Sequence, residues 1–190
     1  MIEKEIKLVV SEEILMKCKK TLDEFLKHTR VLQVNYYYDT PDFLHHSLGN
    51  TLRVRQTGER LVLQYKQEKH YDGNLRTCQE FEETIQRIPR QLSSSDTHCI
   101  AMNMDLVFTM VGSLVTERVD YIYGETIISL DRNYFLGQYD CEIEIETHEH
   151  EEAEAVLRML SIGEVGEQRL GKYSRFVKKY QRFLGVVDLI

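Results

Sequence analysis

Along much of the chain, apolar and charged residues alternate one by one, and this alternation predicts strands. At 2–8, Ile2, Ile6 and Leu8 fall on one side and Glu3, Glu5 and Lys7 on the other, because strand side chains repeat with a period of two. Residues 51–56 and 60–67 do the same around Thr57-Gly58-Glu59 and predict a hairpin. Its first arm sets Leu52 and Val54 against Arg53 and Arg55; its second sets Leu61, Leu63 and Tyr65 against Gln64 and Lys66. Residues 77–88 bring Glu80 and Glu82 to one face. Three further strands follow: 113–123 with Arg118, 125–135 with Asp131, and 138–147 with Asp140, Glu142, Glu144 and Glu146 opposite Cys141, Ile143 and Ile145. Residues 31–39, rich in tyrosine, make one more, stopped by Thr40-Pro41.

Helical spacing appears in fewer places. Ser11 is an N-cap before Glu12 and Glu13, and Leu15, Cys18, Leu22 and Leu26 then recur along one face. Residues 98–110 are apolar without β-branched enrichment and predict a helix. An acidic amphipathic helix is expected over 149–160 and a basic one over 167–184. Residues 43–50 read as a short helical turn, and 68–75 and 87–97 as polar loops, the former turning at Asp72-Gly73-Asn74. About eight strands joined mostly by hairpins, with four helices, make an α+β fold with a mainly antiparallel sheet. No linker or repeat divides residues 1–190, which read as a single domain.

Composition narrows the field. The net charge of −7 argues against a nucleic-acid partner, although local basic clusters remain free to bind small anions. Cys18, Cys78, Cys99 and Cys141 are too widely spaced for a zinc knuckle and read as free thiols. No apolar leader or run long enough to span a membrane is present, so a cytoplasmic protein is expected, with no membrane partner. The sequence does not set its oligomeric state.

The charged faces carry the chemistry. Glu3, Glu5, Lys7, Arg53, Arg55, Lys66, Glu80, Glu82, Arg118, Asp131, Glu142, Glu144 and Glu146 all lie opposite apolar faces. One reading is a solvated sheet face. The other is a β-barrel turned inside out, with its apolar faces under helices and a charged interior. Two carboxylates ~5 Å apart at an effective dielectric of ~20 repel by roughly 3 kcal/mol, so such an interior calls for a cation between them. Hard divalent ions such as Mg²⁺ or Mn²⁺ suit oxygen ligands, and arginines and lysines on neighbouring strands suit a chain of phosphates. Acids for metal and bases for phosphate in one cavity point to phosphoryl transfer, and the absence of a Gly-rich P-loop motif excludes a P-loop nucleotide site.

Glu3-Lys4-Glu5-Ile6-Lys7 resembles the Glu-x-Glu-x-Lys signature of the CYTH superfamily, the triphosphate tunnel metalloenzymes. The resemblance continues in order through Tyr38-Asp39-Thr40-Pro41-Asp42, Leu52-Arg53-Val54-Arg55, Lys66, Glu80-Phe81-Glu82, Arg118, Leu130-Asp131 and Glu142-Ile143-Glu144-Ile145-Glu146. It implies an eight-stranded antiparallel tunnel flanked by helices and metal-dependent hydrolysis of a small-molecule triphosphate. Members of the family include inorganic and thiamine triphosphatases, fungal RNA triphosphatases and class IV adenylyl cyclases. Carried over by position, Glu3, Glu5, Glu142, Glu144 and Glu146 would hold Mg²⁺ or Mn²⁺. Lys7, Arg53, Arg55, Lys66, Arg118 and Lys172 would grip phosphates, and Glu5, Lys7 and Glu144 would sit at the reacting centre. Many relatives carry Ser-Lys at the start of the last helix, where this chain has Gly171-Lys172.

Glu80 and Glu82 either act directly or orient a base, and Asp131 is expected to support an arginine. Asp39 reads as a turn-stabilising acid, His45-His46 as a surface pair, and Lys69 and Arg76 as surface residues of a loop. A triphosphatase is the expected activity. A cyclase making cyclic AMP from ATP and a non-catalytic polyphosphate- or nucleotide-binding module are the alternatives.

Overall fold

The computed structural model describes residues 2–72, 75–93, 106–148, 150–162 and 170–185. In chain order the elements are β1 (Ile2–Val10), α1 (Glu12–Phe25), β2 (His28–Asp39), α2 (Leu44–Ser47), β3 (Thr51–Thr57), β4 (Arg60–Asp72), β5 (Leu75–Ile85), β6 (Gln91–Ser93), β7 (Val107–Tyr123), β8 (Thr126–Phe135), β9 (Gln138–Glu146), α3 (His150–Met159) and α4 (Lys172–Phe183). The strands run in the order β2-β3-β4-β5-β1-β9-β8-β7-β6, every pairing is antiparallel, and β2 also pairs with β7. That last pairing closes an eight-stranded barrel and leaves β6 outside, attached to the start of β7. Closure satisfies backbone groups that two open edges would otherwise expose.

Strand alternation sorts the side chains as the sequence predicts. Ile6, Leu8, Ile128, Leu130, Cys141, Ile143 and Ile145 point outward and are buried under α1 and α3 through Leu15, Cys18, Leu22, Ala153 and Val156. Ser11 caps α1, its Oγ accepting the Ile14 N–H at 3.3 Å. A second apolar cluster covers β3 and β4 with Leu52, Val54, Leu63, Tyr65 and Phe108.

The third cluster is built differently. Leu114 and Phe135 share strand parity with inward-facing Arg118 and Asp131, and they pack with Tyr37 against Tyr173, Phe176 and Val177 of α4. One end of the barrel is thus filled by α4, which fits closely: a Cβ on Gly112 would stand 2.6 Å from the Phe176 ring.

Several boundaries differ from expectation. Residues 107–110, predicted as helix, belong to β7, where Met110 and Thr109 pair with Tyr38 and Asp39; Leu106 precedes the strand, and 98–105 of that predicted helix lie outside the described residues. Cross-strand pairing outweighs the weak helical spacing there. Residues 68–72 continue β4, and residues 75 and 76 start β5, because Tyr71 and Asp72 find register partners in Arg76 and Leu75. The predicted turn at Gly73-Asn74 lies outside the described residues. The loop over 87–97 contains β6, and α4 starts at Lys172, after an extended Gly171.

His45 is fully buried, against Tyr65 and Phe108, contrary to the expected surface pair. Asp39 explains this placement: its carboxylate accepts the backbone N–H groups of Thr40, His45 and His46 at 2.8–2.9 Å and so folds α2 back onto the barrel. Tyr173 of α4 donates to the same carboxylate at 2.7 Å.

Candidate functional site

Inward-facing residues meet in register across the barrel wall. Lys7 stands opposite Glu144 and Glu5 opposite both Glu146 and Arg76; Lys66 faces Glu80, Gln64 faces Glu82, and Arg118 faces Asp131. All of these but Glu5 and Asp131 line a cavity of about 230 Å³, together with Glu3, Arg53, Arg55 and Lys172. A larger groove of about 520 Å³ between α1 and β7 is mostly apolar and shares Arg118 with this cavity.

One wall is a network of neutralised charges. Glu144 accepts Lys7 at 2.6 Å, Lys172 at 2.5 Å and Arg118 at 2.5 Å. Asp131 holds Arg118 through two hydrogen bonds of 2.7 and 2.6 Å and pairs with Lys172 at 2.7 Å. Glu142 pairs with Lys172 at 3.1 Å and with Arg175 at 2.8 Å. Burial opposes the charged forms of Glu142 and Glu144, but the cations win. Glu142 is held down to about 2, and Glu144, beside Lys172, Lys7 and Arg118, lies well below the carboxylate range. Burial likewise works to lower Lys7 and Lys172, and the surrounding carboxylates raise both instead.

The opposite wall lacks that balance. Among the described residues no carboxylate lies within ion-pair distance of Arg53 or Arg55, although Arg53 is buried and Arg55 partly so. Their guanidiniums donate to neutral groups, Arg53 to Gln64 at 2.7 Å and Arg55 to Asn35 at 3.0 Å. Gln64 in turn donates to Glu82, so that acid orients a base through an amide. Burial, then the nearby Arg53 and Arg118, lowers the Arg55 pKa, the signature of a cation short of an anion.

Acids crowd the end formed by β1, β5 and β9. Glu3 pairs with Lys66 at 2.5 Å and accepts the Cys78 thiol at 3.1 Å; burial pushes its pKa up, but Lys66 and Lys7 bring it down to about 2. Glu5, 2% exposed, pairs with Lys7 at 2.8 Å and Arg76 at 3.4 Å. Glu146 lies at the rim, exposed, and burial followed by repulsion from Glu3 and Glu5 raises its pKa.

The donors present fit a hard cation. Glu5 Oε1 is buried and accepts no hydrogen bond among the described groups, where the Arg76 guanidinium at 3.4 Å offsets its charge without bonding it. Glu3 and Glu146 offer further carboxylates beside it. Asp131, Glu142 and Glu144 also converge, but Lys172, Arg118 and Arg175 already occupy them.

All the predicted residues except Glu142, Asp131 and Glu5 border the cavity directly, and those three touch residues that do. Arg76, expected on the surface of a loop, is instead buried in the barrel wall, and Arg175 has no local signature as a site residue beyond its spacing from Lys172. Arg76 is a buried β5 residue against Glu5, and the parity of Glu80 and Glu82, extended back four positions, points to it. Arg175 reaches Asp140 and Glu142 from α4, and its i+3 spacing from Lys172 was the available signal. The side chain of Lys69 is not among those described.

The CYTH domain family model matches residues 1–177. No curated protein matches the chain in sequence. Among solved structures, HpAC1 from Hippeastrum, described as a candidate adenylyl cyclase with a dominant triphosphatase activity, superposes with a TM-score of 0.73 at 21% identity, covering 93% of this chain and 96% of that one. A candidate adenylate cyclase from Bacillus halodurans gives 0.63 at 26% identity over 90% and 95% of the two chains. The PH1819 protein of Pyrococcus horikoshii gives 0.63 at 23% identity over 93% and 99%.

Proposed function

The chain belongs to the CYTH domain family, and from that premise we propose that it hydrolyses a triphosphate with the help of a divalent ion, Mg²⁺ or Mn²⁺. The observation that carries this reading is one cavity where, among the described residues, Arg53 and Arg55 have no carboxylate at ion-pair distance, while Glu3 and Glu146 line it with Glu5 close behind. A triphosphate brings the missing anions to the first group, and a metal ion brings the missing cation to the second.

In this reading Arg53 and Arg55 receive phosphate oxygens by charge-assisted hydrogen bonds, with Lys66, Arg118, Lys7 and Lys172 around the chain. Gln64 and Asn35 hold the two guanidiniums in place before substrate arrives. Glu144 keeps Lys7, Lys172 and Arg118 charged and pointed inward. Glu3, Glu5 and Glu146 would hold the ion, and Glu142 and Asp131 act through the lysine and arginines they bind. The ion, when bound, supplies charge neutralisation at the terminal phosphate and a more acidic water. Attack by a water in line with the terminal bridging oxygen forms one P–O bond as another breaks. Orthophosphate and a diphosphate leave, and the proton lost by water passes to a carboxylate or to solvent.

The substrate is inorganic tripolyphosphate or an organic triphosphate such as thiamine triphosphate or a nucleotide. The relatives named for adenylyl cyclase raise cyclic AMP formation as the second reading. It needs an adenine surface, and the cavity walls are charged or polar except for Tyr37, Tyr173 and Gly171. Incubation of the purified protein with tripolyphosphate, thiamine triphosphate and ATP, each with Mg²⁺ and Mn²⁺, tests the reading by product. Orthophosphate release supports it, and cyclic AMP with pyrophosphate supports the cyclase. Tight binding with no product from any substrate supports a binding module.

A further inference from the structure

Among the described residues four arginines border the cavity, and three of them donate to side-chain oxygens. Arg118 is bonded to Asp131 and Glu144, Arg53 to Gln64 and Arg55 to Asn35. Arg76 is different. A guanidinium carries five N–H donors, and although Arg76 is only 8% exposed, none of its donors bonds an oxygen of a described residue. Its Nε has no partner, and Nη2 stands 3.8 Å from the Cys78 sulfur. Nη1 forms an ion pair with Glu5 Oε1 at 3.4 Å without a hydrogen bond. A buried guanidinium with so much unused capacity calls for an acceptor.

The guanidinium stands between two parts of the cavity wall. On one side it faces Glu5, its register partner across the β1–β5 pairing. On the other it faces the start of α4, where a Cβ on Gly171 would lie 3.7 Å from Nη1. Gly171 and Lys172 both border the cavity, so the missing side chain at 171 leaves that flank of Arg76 open.

We infer that Arg76 is an internal counter-ion that becomes a phosphate ligand: in the empty cavity it offsets Glu5, and with a divalent ion on Glu5 it turns to an oxygen of the triphosphate. The inference rests on the proposed use of Glu5 as an ion ligand and adds the residue that couples ion to substrate. Arg76 and a divalent ion compete for one carboxylate, and their like charges repel. The loose contact at 3.4 Å gives way, and the guanidinium moves toward the anionic phosphates. Arginine suits this task because its planar fork takes two oxygens of one phosphate, where lysine offers only a point charge. Ion binding thus strengthens the grip on triphosphate, and by linkage triphosphate strengthens the grip on the ion by the same factor.

Two titrations of the full-length protein test this. In the first, Mn²⁺ is added without triphosphate, and free Mn²⁺ is followed by electron paramagnetic resonance. Arg76→Gln should bind Mn²⁺ about 5-fold or more tightly than wild type, because a competing cation is gone. In the second, a non-hydrolysable imido-bridged analogue of tripolyphosphate is added with Mg²⁺, and binding is followed by calorimetry. Arg76→Gln should bind it roughly 10–100-fold more weakly, as expected for lost hydrogen bonds between charged groups. In chelator the two proteins should bind it alike. Arg76→Lys, which keeps the charge and loses the fork, should hold Mn²⁺ affinity near wild type and still weaken the analogue. Opposite effects on ion and analogue are not expected of a purely structural residue. If neither variant folds, the Arg76 Nε–H NMR signal of wild-type protein decides. It should shift with analogue and Mg²⁺ together and stay in place with analogue in chelator; a signal that both leave unmoved overturns the inference. Unchanged or weaker Mn²⁺ binding by folded Arg76→Gln, or unchanged analogue binding with Mg²⁺, overturns it too and leaves the triphosphatase reading standing. No Mn²⁺ binding by wild-type protein removes both the inference and the metal reading beneath it.

Discussion

The Lys172 ammonium lies 2.5 Å from Glu144 Oε1, joining the first residue of α4 to the last strand of the barrel. The same ammonium meets Asp131 and Glu142, so one helix residue neutralises three inward-facing acids. The helix is held by Tyr173 on Asp39 and Arg175 on Asp140 and Glu142, and by Phe176 in the third apolar cluster. The charged interior and the helix that fills its end are thus one unit.

Removing that cation should be costly. Lys172→Met leaves Asp131, Glu142 and Glu144 short of a charge, and breaking a buried pair from one side typically costs about 3–5 kcal/mol. Thermal unfolding should show a clear fall in Tm, and the fall should shrink when Glu144→Gln is added, because the two residues share one interaction.

Arg55 should behave in the opposite way. It gives up no carboxylate partner, so Arg55→Gln should leave stability unchanged or raised in denaturant unfolding. Tripolyphosphate affinity should fall, since hydrogen bonds to charged groups contribute about 1.5–3 kcal/mol, or roughly 10–100-fold. Arg118→Gln, which strips a guanidinium from Asp131 and Glu144, should lose stability and affinity together.

Acid should dissolve the neutralised wall in a defined window. The Glu142 pKa is about 2 in the folded protein against an ordinary value of 4.5. Its contribution is therefore complete above pH ~4.5 and disappears as pH falls through ~2, and it is worth on the order of 3 kcal/mol. Stability of wild-type protein and Glu142→Gln, measured by urea unfolding from pH 7 downward, should differ most near neutrality and converge near pH ~2.

Gly112→Ala should act at a distance. Its Cβ would meet the Phe176 ring at 2.6 Å, and that ring is wedged by Tyr37, Phe135 and Tyr180. Overpacking of this kind costs about 1–3 kcal/mol. Displacement of α4 should also lower turnover, since Lys172 moves with it, and activity measured well below the variant's Tm separates the two effects.

The barrel was legible because period-two alternation carries both faces at once: Ile143 and Ile145 say outward, and Glu142 and Glu144 say inward. What alternation does not carry is where strands end. Arg76 joins the cavity wall only because β5 begins at Leu75, in a stretch whose polarity mimics a loop. Nor does it separate acids by partner. Glu142 and Glu146 look alike in sequence, yet α4 places Arg175 and Lys172 on the first and leaves the second exposed at the rim. Contacts between a helix and a distant strand depend on packing and have no local signature. His45 is the same case, buried because Asp39 folds α2 inward.

Phosphate release from tripolyphosphate, measured with Mg²⁺ or Mn²⁺ and with excess chelator for wild-type protein and Glu5→Gln, tests the central claim most directly. The account predicts release by wild-type protein only when the ion is present, and none above background by Glu5→Gln. Undiminished release by Glu5→Gln in chelator would contradict it.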